Sequence, residues 1–249
     1  NYGKIDILWL DGCWIRPIET LNESVIEFCR YPHDLSIDMD TIADFSRKNQ
    51  PGLSIVDRWV QGEHENYLTP ERKIPDEALT VPWESCITMG NAWGWVPDDK
   101  YKSAKELAHL LINIISKGGN LLLGIGPKGD GEFEEAIYER LKALGGWIDS
   151  VRESIFNTSP FFPFKHDKIA YTRNRDSIYA FYIPDDSETV LPKQLIFQLG
   201  NVAPKNVKIL GESIKVEGQS STEGYKIVLP PDFEFDFSSK YAIVFKFSV

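Results

Sequence analysis

The stretch that most constrains the fold is Ser103-Ala-Lys-Glu106 with Leu107, Leu110, Leu111, Ile114 and Ile115 behind it. Serine three residues ahead of glutamate is a capping box, and the apolar residues recur at i, i+3, i+4, i+7 and i+8, which places them on one helical face. Gly118-Gly119 ends this helix, and Asn120-Leu-Leu-Leu-Gly-Ile-Gly126 then reads as a fully apolar strand. Such a strand needs cover on both faces, which parallel sheets obtain from helices. The expectation is an α/β fold in which helix and strand alternate as in an α/β barrel.

Two earlier segments fit that alternation and end in an acid. Ile5, Ile7, Leu8, Trp9 and Leu10 form a short apolar run, predicted to be a buried strand of a parallel sheet, and it stops at Asp11-Gly12. Leu53-Ser-Ile-Val-Asp57, behind a helix over Asp38–Asn49 and a Gln50-Pro51-Gly52 stop, ends in Asp followed by Arg58 and Trp59. The carboxyl ends of parallel strands carry the chemistry of α/β folds, so Asp11 reads either as a catalytic carboxylate or as a cap on the loop behind it. Leu21–His33 reads as a mixed loop. Val60–Pro82 has no periodicity, and a loop of that length is functional or disordered. It holds Glu63, His64, Glu65, Glu71 and Glu77. Glu63-His64-Glu65 offers metal-ligand types, but with no further ligand at helical spacing it reads as a solvated loop. Trp83–Met89 is a third strand candidate. Trp83, Trp93 and Trp95 then fall within thirteen residues, a density suited to stacking on sugar rings. Trp83 is assigned to the core.

With 37 acidic against 27 basic residues, the net charge of -10 argues against nucleic acid or an anionic membrane as partner. No apolar run reaches the roughly 20 residues of a membrane-spanning helix. Cys13, Cys29 and Cys86 are odd in number and not at ligand spacing, so no disulfide framework, metal or cofactor is expected. Gly124–Gly131 lacks the ending of a phosphate loop and faces Glu132, Glu134 and Glu135, which would repel phosphate. There is no initiator Met, and the first strand begins within five residues, so the chain is expected to be a fragment lacking an upstream part. Ile137, Leu141, Leu144, Ile148 and Val151 define a further amphipathic helix.

Composition shifts near Phe156. After breaks at Pro160 and Pro163, short runs at 168–173, 177–183, 195–199, 207–210, 225–229 and 241–247 alternate with turn residues. These are the strands of a small antiparallel β-sandwich. The boundary is placed so that residues 1–156 form the α/β part and residues 157–249 the β-sandwich.

The ordered set Leu8-Trp-Leu-Asp-Gly12, Val56-Asp-Arg-Trp59, Thr69-Pro-Glu71, Trp83-Glu84 and Lys117-Gly-Gly-Asn-Leu-Leu-Leu-Gly-Ile-Gly-Pro-Lys-Gly-Asp-Gly131 resembles the catalytic domain of the α-L-fucosidases of glycoside hydrolase family 29. The resemblance implies the second half of a (β/α)8-like (TIM-type) barrel followed by a β-sandwich. It also implies a retaining exo-glycosidase that removes terminal α-L-fucose from fucosylated oligosaccharides or glycoconjugates, in a periplasmic, extracellular or lysosomal setting. The sequons at Asn22 and Asn157 do not choose among these.

By the same resemblance Asp11 is the nucleophile. Glu71 is the acid/base, with Glu84 the runner-up and Glu65 third. Trp9, Arg58 and Trp93 contact the sugar, Arg58 having a salt bridge to Asp57 as its alternative. The family usually has Asn where this chain has Gly124, which bears on local loop geometry. His33, His64, His109 and His166 match none of the histidines that hold fucose in the family. Two other classes stay open: a non-catalytic carbohydrate-binding or structural remnant, which intact Asp11 and Glu71 argue against, and a metal-dependent hydrolase.

Overall fold

The computed structural model describes residues 3–12, 15–16, 22–23, 26, 33–34, 37–58 and 63–249, with backbone alone at 15–16, 33–34 and 57. Cys13, Cys29, Trp59 and most of the expected Leu21–His33 loop lie outside these. The chain divides into two compact units: residues 1–70 with 80–84, and residues 71–79 with 85–249.

In the first unit, β1 (Ile7–Leu10) is followed by a short parallel pair, β2 (Ile15–Arg16) with β3 (His33–Asp34). Helix α1 (Met39–Asn49) and strand β4 (Ser54–Asp57) come next. Asp38 caps α1 by accepting the Thr41 N–H at 3.0 Å. The helix lays Met39 and Ala43 on Leu53 and Ile55, with Leu8, Leu10, Ile37 and Ile42 packed around them. β4 pairs in parallel with β1, Ile7 opposite Ser54 and Leu10 opposite Asp57. The Gln50 side chain extends this pairing: its Oε1 accepts the Ile5 N–H at 3.2 Å and its Nε2 donates to the Gly3 carbonyl at 3.0 Å. β1 departs from the buried strand expected. Among the described residues it has β4 as its one strand neighbour, so Ile5 and Ile7 stand exposed.

The second unit holds most of β5 (Trp83–Thr88), then α2 (Ala104–Ile115), β6 (Gly119–Gly124) and α3 (Glu135–Val151). The capping box is formed: Ser103 Oγ accepts the Glu106 N–H at 3.2 Å while Glu106 Oε2 accepts the Ser103 N–H at 2.7 Å. Ser103→Ala removes one half of it and is expected to cost about 1 kcal/mol. A fall in melting temperature of about 2–4 °C by calorimetry would register this. Gly118, at φ +83°, turns the chain out of α2 into β6, which lies beside β5.

Beyond α3 come β7 (Ser159–His166), β8 (Ile169–Arg173), β9 (Ser177–Tyr182), β10 (Gln194–Phe197), β11 (Asn206–Ile209), β12 (Gly218–Ser221), β13 (Gly224–Val228) and β14 (Ile243–Ser248). They form two antiparallel sheets, ordered β11-β14-β9-β8-β7 and β10-β13-β12. Alternation along the larger sheet separates two cores. Tyr171, Ile178, Ala180, Tyr182, Phe245 and Phe247 face the smaller sheet and meet Leu195, Phe197 and Ile227. Ala170, Tyr179, Phe181 and Val244 point the other way, into a core with Leu107 and Ile112 of α2 and Ile137, Leu144 and Trp147 of α3. Buried on both faces, β9 shows an unbroken run of buried residues.

Six of the eight strands fall where the sequence predicts them, within a residue or two. β7 does not, because Pro160 and Pro163 read as breaks. It sits at the sheet edge with a register shift between Pro160 and Lys165, where a missing N–H is tolerated. β12 was not expected either: Gly-Gln-Ser-Ser carries no apolar pattern, and it too is an edge strand. Among the described residues, no helix is long and apolar enough to cross a membrane.

Candidate active site

The register of β1 on β4 sets the first part of the site. Leu10 lies opposite Asp57, so the next residues, Asp11 and Arg58, leave the two strand ends side by side. Arg58 Nη1 donates to Asp11 Oδ1 at 2.9 Å, and the Gly12 N–H donates to the same oxygen at 3.0 Å. The sequence offers Arg58 a sugar contact or a bridge to Asp57; the partner the structure gives it is Asp11, and the Asp57 side chain lies outside the described residues. The Arg58 side chain is 4% exposed against 53% for Asp11, so a buried cation holds a carboxylate that faces outward. The guanidinium is held from two further directions: Nε donates to Thr69 Oγ1 at 3.2 Å, and its carbon stands 4.5 Å from the centroid of Trp9. Chemically, this is a carboxylate with restricted orientation, the requirement for a nucleophile at a sugar carbon.

The same unit contains Glu65 and Glu84. Glu65 is half-buried and precedes Asn66, which clips the segment to β4: the Ile55 N–H donates to Asn66 Oδ1 at 2.7 Å and the Asn66 N–H donates to the Ile55 carbonyl at 2.9 Å. Glu84 donates its N–H to the Leu68 carbonyl at 2.9 Å, and burial pushes its carboxyl above the usual range, with the Trp9 indole N–H pulling the other way. That N–H is buried and stands outside ordinary hydrogen-bond geometry, so its influence on Glu84 is one of proximity. Tyr67 is raised by its own burial and then by the Glu84 charge.

A carboxyl protonated more readily in the folded state stabilises the protein at low pH, and that contribution is lost as pH rises through the raised folded value. Glu84→Gln is therefore expected to raise the melting temperature relative to wild type at pH 7.5, with the difference closing near pH 4. Equal differences at both pH values would contradict this assignment.

Glu71 belongs to the second unit. It bridges to Cys86 of β5, and the next residue, Arg72, donates its N–H to the Cys86 carbonyl at 2.9 Å. Arg72 then reaches the Trp93 loop: its Nη2 donates to the Asn91 carbonyl at 3.0 Å and its guanidinium lies 4.9 Å from the Trp93 centroid. Trp93 rests on β6 at Gly124, where a Cβ would come within 3.3 Å of its ring. The glycine at the family's asparagine position thus gives the indole its seat. Trp83 is core, 1% exposed. Sequence reasoning passed over Arg72, although a cation next to a candidate carboxylate was a visible signal, and it left Thr69 as no more than a motif letter.

The Glu63-His64-Glu65 run gains a partner that the sequence did not supply. Ligand atoms of Asp40, Glu63 and His64 all lie within 4.8 Å of one another. Arg47 Nη1 approaches His64 Nδ1 at 3.4 Å, and Arg47 can only donate, so Nε2 carries the proton and donates to Asp40 Oδ1 at 2.7 Å. A guanidinium at this spot disfavours a cation and makes the cluster a hydrogen-bond relay tying α1 to the loop. His109, lowered by burial, donates its Nε2–H to the Tyr241 carbonyl at 2.8 Å and is structural.

Known families and solved structures resemble this chain over most of its length. The family model described as alpha-L-fucosidase matches residues 1–153. An alpha-L-fucosidase of Branchiostoma floridae is 28% identical over 232 residues, covering 85% of this chain and 49% of that protein. The chain spans about a third to a half of the length of the curated relatives it matches. Among solved structures, alpha-L-fucosidase isoenzyme 1 from Paenibacillus thiaminolyticus shares the fold with a TM-score of 0.79 at 22% identity, over 99% of this chain and 58% of its own. A family 29 alpha-L-fucosidase from Bacteroides thetaiotaomicron, trapped as a covalent intermediate with 2-fluoro-fucosyl fluoride, aligns with a TM-score of 0.74 at 18% identity, over 98% of this chain and 56% of its own.

Proposed function

The chain belongs to the alpha-L-fucosidase family, and on that premise we propose that the protein carrying it is a retaining exo-glycosidase acting on terminal α-L-fucose. The observation that carries this reading is Asp11 at the end of β1, held outward by the buried Arg58. In the proposed route Asp11 attacks the anomeric carbon as the glycosidic bond breaks, giving a covalent fucosyl-enzyme. The departing oxygen takes a proton from a second carboxyl. Water then attacks the same carbon, loses its proton to that second group, and releases Asp11 with fucose in its original configuration. The trapped intermediate of the Bacteroides relative supports this route.

Glu71 is our first assignment for the second carboxyl, from its place in Thr-Pro-Glu, and Glu84 is the alternative favoured by its raised pKa. The two are separable. Loss of the true acid spares substrates with activated leaving groups and suppresses natural glycans, so Glu71→Gln and Glu84→Gln compared on both substrate types identify it. Trp9, Arg58 and Trp93 are proposed to line the fucose site. We read the parallel strands and helices as part of a (β/α)8-like barrel and the antiparallel sheets as an appended β-sandwich. The likeness to the Paenibacillus enzyme supports that reading. Fucosylated glycans are the proposed partners, and an exported location is proposed by family likeness.

The test is hydrolysis of an aryl α-L-fucoside followed by proton NMR. Initial release of α-L-fucose supports the reading, and initial release of the β anomer overturns retention. No turnover on any fucoside would hand the protein to the carbohydrate-binding alternative.

A further inference from the structure

We propose that the recess where the start of β7 meets the end of β8 binds a tetrahedral oxyanion, a sulfate or phosphate group that is either free or esterified to a sugar. Two turns meet there, both within the second unit. Ahead of β7 the chain turns at Asn157, whose φ is +57°, and Thr158 Oγ1 donates to the Ile155 carbonyl at 3.0 Å. The turn from β8 into β9 is closed by the Asn174 N–H, which donates to the Ser177 carbonyl at 2.9 Å. Ser159 pairs with Arg173 at the edge of the five-stranded sheet, which brings the two turns to one end of the same ladder. The recess they line measures about 550 Å³, and its lining includes Asn157, Ser159, Arg173 and Arg175 but no carboxylate and no aromatic ring.

Two arginines without an acid are an exception in a chain whose net charge is -10. Both are exposed, and among the described residues neither side chain has an ion pair. The acids of neighbouring segments are engaged elsewhere: Glu153 accepts from Tyr179 Oη at 3.0 Å and pairs with Lys246 and Lys208, and Asp149 pairs with Arg152. Asp176, next to Arg175, is exposed and does not line the recess. Asn174 fixes the turn that carries Arg175: its Nδ2 donates to Tyr179 Oη at 2.8 Å and its Oδ1 accepts the Asp176 N–H at 3.1 Å. Donors are left for a ligand. They are the two guanidiniums, the Asn157 side-chain amide, and the Ser159 hydroxyl, whose contact with the Arg173 carbonyl is a long 3.5 Å. A guanidinium can only donate, and its planar fork meets two oxygens of one tetrahedral anion. With no ring to stack on, a neutral sugar finds little purchase, so charge carries the recognition. The volume lies in the range of small-molecule sites, which leaves room for a sugar ring behind an ester group.

The experiment is calorimetric titration of the intact protein, at fixed ionic strength, with sodium sulfate, sodium phosphate, glucose 6-sulfate, glucose 6-phosphate and glucose. Arg173→Gln, Arg175→Gln and the double variant are compared with wild type, and Lys142→Gln, an exposed lysine on α3, controls for the lost charge. Saturable binding of the anions and none of glucose is expected. Each arginine variant is expected to weaken it about tenfold, and the double variant to abolish it, while Lys142→Gln leaves it unchanged. Melting temperatures equal to wild type show that lost binding is not lost fold. Esters bound more tightly than the bare ions identify a group carried on a sugar, and equal binding identifies the free anion; either supports the site. No saturable binding to wild type, or binding that survives in the double variant, overturns it. No fucoside enters the titration, so the result stands or falls apart from the fucosidase reading.

Discussion

Asp11→Gly in the protein carrying this chain is expected to lose turnover of an activated aryl α-L-fucoside by about 10⁴-fold or more, the scale on which removal of a single covalent nucleophile acts. Sodium azide is expected to restore part of it. The glycine leaves a space on the face from which Asp11 would attack, and azide entering there displaces the aryl group and forms a carbon–nitrogen bond with inversion. The product is β-fucosyl azide. An activated phenolate leaves without a proton, so rescue does not depend on the second carboxyl. Recovery of that anomer ties together the nucleophile, the sugar and the stereochemical course. A variant as active as wild type would mean that Asp11 only caps its loop. The substitution also removes an acceptor from Arg58, whose side chain is buried, so the melting temperature should be recorded for each preparation.

Phe197→Ala is expected to have the largest effect on stability. Phe197 is fully buried between the two antiparallel sheets, with ring centroids 4.8 Å from Phe245 and 5.1 Å from Phe247. Truncation to alanine removes the transfer contribution and leaves a cavity lined by those rings, a loss of about 3–5 kcal/mol. For a chain of this size that corresponds to about 6–20 °C in melting temperature by scanning calorimetry. Phe162, exposed on the edge strand β7, is the control, and its alanine variant should fall within about 0.5 kcal/mol of wild type. Similar losses for both would show that the two sheets do not share the core described.

What could be read from the sequence divides by the range of the interaction. The helix from Ala104 was legible to its cap because Ser103, Glu106 and the leucine spacing are local signals. β7 was not, because proline reads as a breaker until the strand is known to lie at an edge. In the candidate site, Asp11 was legible as an acid at a strand end. That Arg58 stands beside it followed only from the register of β1 on β4. The contacts of Asp40 and Arg47 with His64 join residues 24 and 17 positions apart, and no motif marks them. Gly124 stood out as a departure from the family, but its role as the seat of Trp93 needed the ring in place.

The five-stranded sheet has a consequence for how this protein can be cut or recombined. Tyr179 and Phe181 pack toward the helices, while Ile178, Ala180 and Tyr182 of the same strand pack toward the smaller sheet. A truncation after residue 156 would strip α2 and α3 of their cover and leave an apolar surface open to aggregation. Expressing residues 157–249 alone would bare the opposite face of the same sheet. The C-terminal strands are therefore not a detachable module, and grafting them onto another enzyme would require carrying the helix surface along with them.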